Sequence, residues 1–150
     1  FRRVLFRSLP SREIVGALQT TALRGVEVSV VLPLKNNLPI MKWAAGNFLW
    51  KIMQWGVKIY FQPPPFAHTK LLVVDDYYSQ IGSANLDPRS FRLNFELNIE
   101  IFDRSTAAAL STHIRKCISR SMKLELKDLD ERNIALKLRD ALAWLFSPYL

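Results

Sequence analysis

Two β-branched runs, VEVSVVL at 26–32 and VKIYF at 57–61, each follow directly on an amphipathic helical stretch that stops at a glycine. Ser11 can cap the first helix, with Ile14, Val15, Leu18 and Leu23 on one side and Gly25 as its stop. The second helix runs from about 40 to 54 and ends at Gly56. Met41, Ala45, Phe48, Leu49 and Ile52 form one stripe of it, expected to face the core. Strands this apolar need cover on their faces, so the α-β-α-β alternation argues for an α/β fold, a sheet with helices packed on it.

The rest of the chain adds strands before it returns to helix. QPPPF at 62–66 reads as a stiff extended loop. KLLVVD at 70–75 is expected to be a buried strand, Asp75-Asp76 a turn, and YYSQIGS at 77–83 the antiparallel partner. A helical turn is expected near 88–91, then a strand at 95–102 from the alternation in FELNIEIF. A helix at about 105–122 places Leu110, Ile114, Cys117 and Ile118 on one face. Asp128 with Glu131 reads as a capping box for a last helix at about 129–146. Its apolar face of Ile134, Leu138, Ala141, Leu142 and Leu145, with Trp144 and Phe146 near the end, is expected to dock on the domain.

Length and composition bound the class. At 150 residues, 49 % hydrophobic and 23 % charged, the sequence suits one folded domain and excludes a disordered chain. A single cysteine excludes an intrachain disulfide and Cys-based zinc spacing. No apolar run reaches the ~18 residues of a membrane-spanning helix, and the first ten residues do not read as a signal peptide. The net charge of +8 favours an anionic partner, and residues 1–60 hold most of it, nine Lys/Arg against two Glu. No arginine-rich stripe with interleaved aromatics and no DNA-binding motif is present, so nucleic acid is not the expected partner.

The chemistry-bearing residues gather between 68 and 96. His68 and Lys70 stand two apart on a strand and share a face; Asp75 has the opposite parity and belongs to the turn. Gly82 leaves room for a close approach to the backbone. Ser83 and Asn85 are again two apart, so a hairpin brings His68, Lys70, Ser83 and Asn85 to one end of the sheet. An ammonium, a hydroxyl, a carboxamide and an imidazole suit a phosphate diester, and no carboxylate cluster for a metal accompanies them. The imidazole can attack phosphorus or protonate a leaving oxygen. On chemistry alone the same residues also fit a surface ion pair beside an ordinary turn.

The spacing H-T-K-LLVV-D-DYYSQI-G-S-A-N resembles the HKD signature of the phospholipase D superfamily, with every position filled. The flanking NLDPRSFRLNFELNIEIFD and the SPYL ending resemble bacterial cardiolipin synthases in particular. The resemblance implies a phospholipase D-like half with a mixed β-sheet flanked by helices. Residues 11–122 would be the catalytic lobe and 123–150 a C-terminal amphipathic helix extension. Residues 1–10, in which VLFRS resembles a translated sequencing adaptor, are expected to be artificial or disordered.

By the same resemblance, His68 is one of two catalytic histidines, one forming a phosphohistidine and the other acting as acid and then base. Lys70 and Asn85 bind phosphate oxygens, and Ser83 bonds near the phosphate. Glu96 orients the histidine by fixing its tautomer. Asp75, named in the motif, is structural. The implied reaction is phosphatidyl transfer between two phosphatidylglycerols at the bacterial inner membrane, without metal or other cofactor. A phospholipase-type hydrolase, a dimeric nuclease and a non-catalytic lobe completing a partner remain alternatives.

This chain has one motif where such synthases carry two. Its only other histidine, His113, lacks an HxK context, so a second half-site is needed from another copy or from a missing N-terminal half. Trp43 and Trp50, seven apart and flanked by Lys42 and Lys51, are expected to point away from the core. They resemble an interfacial anchor on an anionic bilayer, or else pack on a partner.

Overall fold

The computed structural model describes residues 2–5, 10–34, 39–65, 70–87 and 93–145. Helix α1 (Arg12–Leu23) begins at Ser11, whose Oγ accepts the Ile14 N–H at 3.4 Å. That bond is long. Burial of Val15 and Leu18, about 1.5–3 kcal/mol for each side chain, holds α1 more firmly than its cap does. Gly25 follows at φ 81° and turns the chain into β2 (Val28–Pro33). Helix α2 (Pro39–Met53), Gly56 at φ 89° and β3 (Lys58–Gln62) repeat the unit, and β2 and β3 pair in parallel.

Strand β4 (Lys70–Val74) pairs antiparallel with β5 (Tyr78–Gly82), and β5 with β6 (Asn98–Phe102). The β4–β5 connection holds Asp75 at φ 50° and Asp76 at φ 49°, and the Tyr77 N–H donates to the Val74 carbonyl at 3.2 Å. Short polar side chains tolerate this left-handed backbone, which β-branched ones resist. The Ser111 hydroxyl on α3 (Arg104–Ser119) donates to Asp76 Oδ1 at 2.8 Å and ties the turn down.

The sheet has seven strands in the order β6-β5-β4-β1-β2-β3-β7. Its central strand, β1 (Arg2–Leu5), lies parallel to β2 and antiparallel to β4. This amends the reading of residues 1–10: whatever their origin, 2–5 join the two halves of the sheet through hydrogen bonds on both edges. The edge strand β7 (Met122–Lys123) pairs with β3, where a helix had been expected to continue to 122.

Alternation along the strands builds two cores. Val28, Val30, Leu32 and Ile59 pack with Phe48, Leu49 and Ile52 of α2 and with α1. Val31, Leu71 and Val73 face the other way, onto Ala107, Ile114 and Cys117 of α3. Burial raises the Cys117 thiol pKa, which suits a packing residue. The molecule is a three-layer α/β/α sandwich.

The C-terminal segment departs from the expected single helix. A short helix, α4 (Leu126–Asp130), has the capping box, made by Glu125 and Asp128, and Glu131 closes it. Helix α5 (Ile134–Leu145) starts afresh, with Asn133 Oδ1 accepting the Ala135 N–H at 3.0 Å. It docks on α2, but through Asp140, Ala143 and Trp144; Ile134, Leu138, Leu142 and Leu145 remain exposed. Trp144 stacks on Phe48 at 6.1 Å. Asp140, 2 % exposed, is met by Arg132 and Arg139, each at 2.8 Å. An unpaired carboxylate there would cost on the order of 3–5 kcal/mol, so the two guanidinium groups are what allow this face to turn inward. Gly46 permits it: a Cβ would collide with Asp140 Oδ2 and sit 2.8 Å from Arg132 Nη1.

Two outcomes test these local arguments. Asp75→Val should lower unfolding free energy in urea by about 1–2 kcal/mol, and Asp75→Gly by clearly less, since only the former forces a β-branched residue to positive φ. At the start of α3, Asp103 accepts from Ser105 Oγ and the Thr106 N–H, which hold its carboxyl far below the usual carboxylate range. Its stabilising effect is complete above the unfolded pKa of about 3.9 and fades as pH falls toward the folded value. Asp103→Ala should therefore lower Tm at pH 7, and the gap from the parent should narrow steadily below pH 4.

Candidate active site

Strand register places the site. Across the sheet, Asn98, Gly82 and Lys70 occupy one row. The next row inward runs Ile99, Ile81, Leu71, Leu5, Val31 and Tyr60. The Lys70 end of β4 thus lies beside the C-terminal ends of the parallel strands β1, β2 and β3, where open α/β sheets commonly place ligands. Lys70 shares the face of Leu72, toward α1 and α2, and is 8 % exposed. A cation held this far out of bulk water exerts a stronger field on a neighbouring anion.

Just past Gly82 the chain is fastened to the approach of β6. The Ser83 N–H donates to the Leu97 carbonyl at 3.0 Å, and Ser83 Oγ accepts the Leu97 N–H at 3.1 Å. The Ser83 hydroxyl donates to the Glu96 carboxylate, and Asn94 Nδ2 donates to the other carboxylate oxygen at 3.3 Å. Asn98 Oδ1 accepts the Ala84 N–H at 3.4 Å. Asn85 is half-buried, and beyond it the Leu86 carbonyl accepts the Ser11 N–H at 2.8 Å, linking this loop to the start of α1.

The structure brings Lys70, Ser83 and Glu96 to the same end of the sheet, with Ser83 and Glu96 in direct contact. Asp75 is not among them. It occupies the far end of β4, five residues and roughly 16 Å away along a strand, because the motif spans the whole hairpin. His68 lies outside the described residues, as does the helical turn expected near 88–91.

Gly82 has a different purpose from the ligand approach expected of it. A Cβ there would overlap the Asn98 side-chain oxygen and the Leu97 carbonyl, and lie 2.8 Å from Asn98 Cα. It is β6 that comes close. Asn94 and Asn98 were not singled out in the sequence; the signal available was their place beside Glu96 on alternating positions.

The tryptophans of α2 are engaged by the C-terminal helices. Trp43 is half-buried against the core rather than outward, with the Arg139 guanidinium 4.7 Å above its ring. Trp50 is exposed, and its indole N–H donates to Asp130 at 2.7 Å. Among the described residues, no His, Cys, Asp and Glu cluster has the makings of a metal site.

The family described as cardiolipin synthase, PLD-like domain, matches residues 3–118. The chain belongs to this family. Cardiolipin synthase 1 of Staphylococcus epidermidis is 39 % identical over 142 residues, which are 95 % of this chain and 29 % of that protein. Cardiolipin synthase A of Proteus mirabilis is 37 % identical over the same shares. The chain therefore spans under a third of the length of these relatives.

Solved structures share the phospholipase D fold. Nuc, a phospholipase D family member from Salmonella typhimurium, superposes with a TM-score of 0.73 at 23 % identity, over 83 % of this chain and 81 % of that one. Phosphatidylserine synthase from Haemophilus influenzae gives 0.72 at 14 % identity, over 99 % of this chain but 41 % of that one.

Gly82→Ala tests the close approach. It should destabilise the protein by about 1–3 kcal/mol, the usual cost of overpacking. Hydrogen exchange should show faster exchange at the Ser83 and Leu97 amides, with the β2 and β3 amides unaffected below global unfolding.

Proposed function

We propose that this chain supplies one half-site of a phosphatidyltransferase of the cardiolipin synthase type. The observation that carries the reading is the filled HKD spacing, with Lys70 and the Ser83–Glu96 pair at one end of the sheet, in a chain 39 % identical to a cardiolipin synthase. The second half-site comes from another phospholipase D-like half, either a missing N-terminal half or another copy.

The chemistry follows from the residue types. One imidazole, that of His68 or of its counterpart, attacks the phosphorus of phosphatidylglycerol through Nε2. The phosphorus–oxygen bond to the head-group glycerol breaks, and the other histidine protonates the leaving oxygen. The phosphohistidine is then attacked by a hydroxyl of a second phosphatidylglycerol, whose proton passes to the acid–base histidine that had protonated the glycerol, as the phosphorus–nitrogen bond breaks. Cardiolipin is the product, and no metal or cofactor takes part.

Lys70 and Asn85 hold the non-bridging oxygens, where negative charge builds in each transition state. Glu96 accepts from histidine Nδ1–H and keeps Nε2 free for attack. The hydroxyl of Ser83 on Glu96 keeps that carboxylate in place. The substrate resides in a bilayer, so the reaction belongs at the surface of a bacterial inner membrane. Among the described residues, no helix is long and apolar enough to cross one.

Labelled phosphatidylglycerol in liposomes, with single-stranded DNA in a parallel assay, tests the reading on this chain alone and on this chain joined to an N-terminal phospholipase D-like half, and each outcome refers to whichever form completes the site. Cardiolipin should form, and His68→Ala should abolish it, beyond the ~10²- to 10⁴-fold loss expected for a proton-transfer group alone. DNA cleavage without lipid turnover would favour the nuclease alternative, and free phosphatidic acid as sole product the hydrolase. Turnover retained in the His68 variant would end the mechanism.

A further inference from the structure

Between α2 and the C-terminal helices runs a groove of about 530 Å³. That volume falls within the ~300–1,000 Å³ range of small-molecule sites. Its walls include Leu34, Trp43, Phe61 and Leu136. Leu34 is 44 % exposed and Leu136 39 %, so large apolar side chains there stand in water. The Leu34 N–H donates to the Gln62 carbonyl at 2.9 Å, which holds that leucine beside the end of β3. Three charged residues also line the groove, and each is engaged. Asp128 Oδ2 accepts the Glu125 N–H at 3.2 Å, and Arg132 and Arg139 both meet Asp140. The Arg139 guanidinium also covers the Trp43 ring. A ligand in the groove would meet apolar surface and charges already matched.

Strand register ties the groove to the Lys70 end of the sheet. Tyr60 shares a row with Leu71, and one step toward the same end come Phe61 and Lys70. The two residues therefore point to one face, and Phe61 packs on the same core as Leu72. Three inter-strand spacings separate them, roughly 14 Å. An acyl chain reaches about as far, since two chains end to end fill the ~30 Å hydrocarbon core of a bilayer. Charge is complementary along that path: a buried ammonium for a phosphate at one end, and a groove whose charged residues are matched at the other. We propose that the groove seats an acyl chain of the phospholipid whose phosphate meets Lys70. Leu34, Phe61 and Leu136 grip the chain, and Trp43 touches it. Helices α4 and α5 thereby form one wall of the substrate site. The proposal rests on the lipid-substrate reading and adds to it a source of selectivity for a phospholipid over a water-soluble phosphodiester with the same head group.

The test is tryptophan fluorescence of this chain, titrated with phosphatidylglycerol that carries short brominated acyl chains and is kept below its micelle concentration. Bromine quenches an indole that it touches. Quenching is expected, and Trp43→Phe should remove most of it. Leu34→Gln with Leu136→Gln should raise Kd about tenfold, because carboxamides would be desolvated against the chain, while circular dichroism stays unchanged. Leu142→Gln with Leu145→Gln, on the outer face of α5, should leave Kd as it is. Each added methylene should tighten binding about fourfold until the groove is full. The proposal is overturned by absence of quenching, by quenching that persists in Trp43→Phe, by a Kd indifferent to chain length or to the Leu34 and Leu136 changes, or by equal loss in the control. A brominated fatty acid that binds as tightly as the phospholipid would also overturn it, since the groove would then act independently of the phosphate. Because binding is read without turnover, quenching without phosphatidyl transfer would sink the proposed reaction and leave the groove standing, and transfer without quenching would do the reverse.

Discussion

The contact between β6 and the hydrogen at Gly82 governs the geometry of the Lys70 end of the sheet. With no side chain at 82, the Asn98 carboxamide lies against the β5 backbone and takes the Ala84 N–H. That approach aligns Ser83 with Leu97 for two hydrogen bonds, one between backbones and one from the Leu97 N–H to Ser83 Oγ, and sets the Ser83 hydroxyl on the Glu96 carboxylate. Each of these bonds adds only about 0.5–1.5 kcal/mol. The fixed separation of the two strands is what makes them simultaneous. Such stiffness suits the proposed phosphate site, because transition-state stabilisation depends on donors already in place.

A second glycine works similarly at the other side of the molecule. Gly46 lets α5 approach α2 closely enough for Asp140 to be enclosed with Arg132 and Arg139. Part of the basic excess of residues 111–150 therefore neutralises a buried carboxylate and is not offered to a partner. The cluster also permits the orientation that α5 adopts. Its polar residue and two small or aromatic neighbours turn inward, while the regular apolar stripe turns outward. Burying the stripe would strand Asp140 as a charge at the surface, free of penalty, but would forfeit the Trp144–Phe48 stack and the fit at Gly46. Packing shape, not the amount of apolar surface, decides the face.

Much of the fold was legible because its signals are local. Ser11 marks a helix start through its side-chain acceptor, and Gly25 and Gly56 mark helix ends through positive-φ backbone that few residues share. The β-branched runs at 28–33 and 70–74 can satisfy their periodicity only as strands. The turn at Asp75-Asp76 follows from the tolerance of aspartate for positive φ. What escaped reading was set by distant partners. Arg2–Leu5 become a central strand only because β2 and β4 flank them, and Met122–Lys123 a strand only because β3 has a free edge. The capping box moved to Glu125 and Asp128 because the chain must turn at 131–133 to lay α5 across α2.

The linear order of residues, by itself, determined the helix and strand alternation, the antiparallel hairpin and the set of residue types between 68 and 96. Each of these depends on torsional preference or on side-chain parity within a few positions, and both are properties of short segments. Tertiary structure alone decided that Glu96 meets Ser83, that β6 ends the sheet with its apolar residues bare, and that α5 shows its stripe to water. Those outcomes depend on which surfaces fit when elements far apart in sequence close on one another. No local preference contains that information.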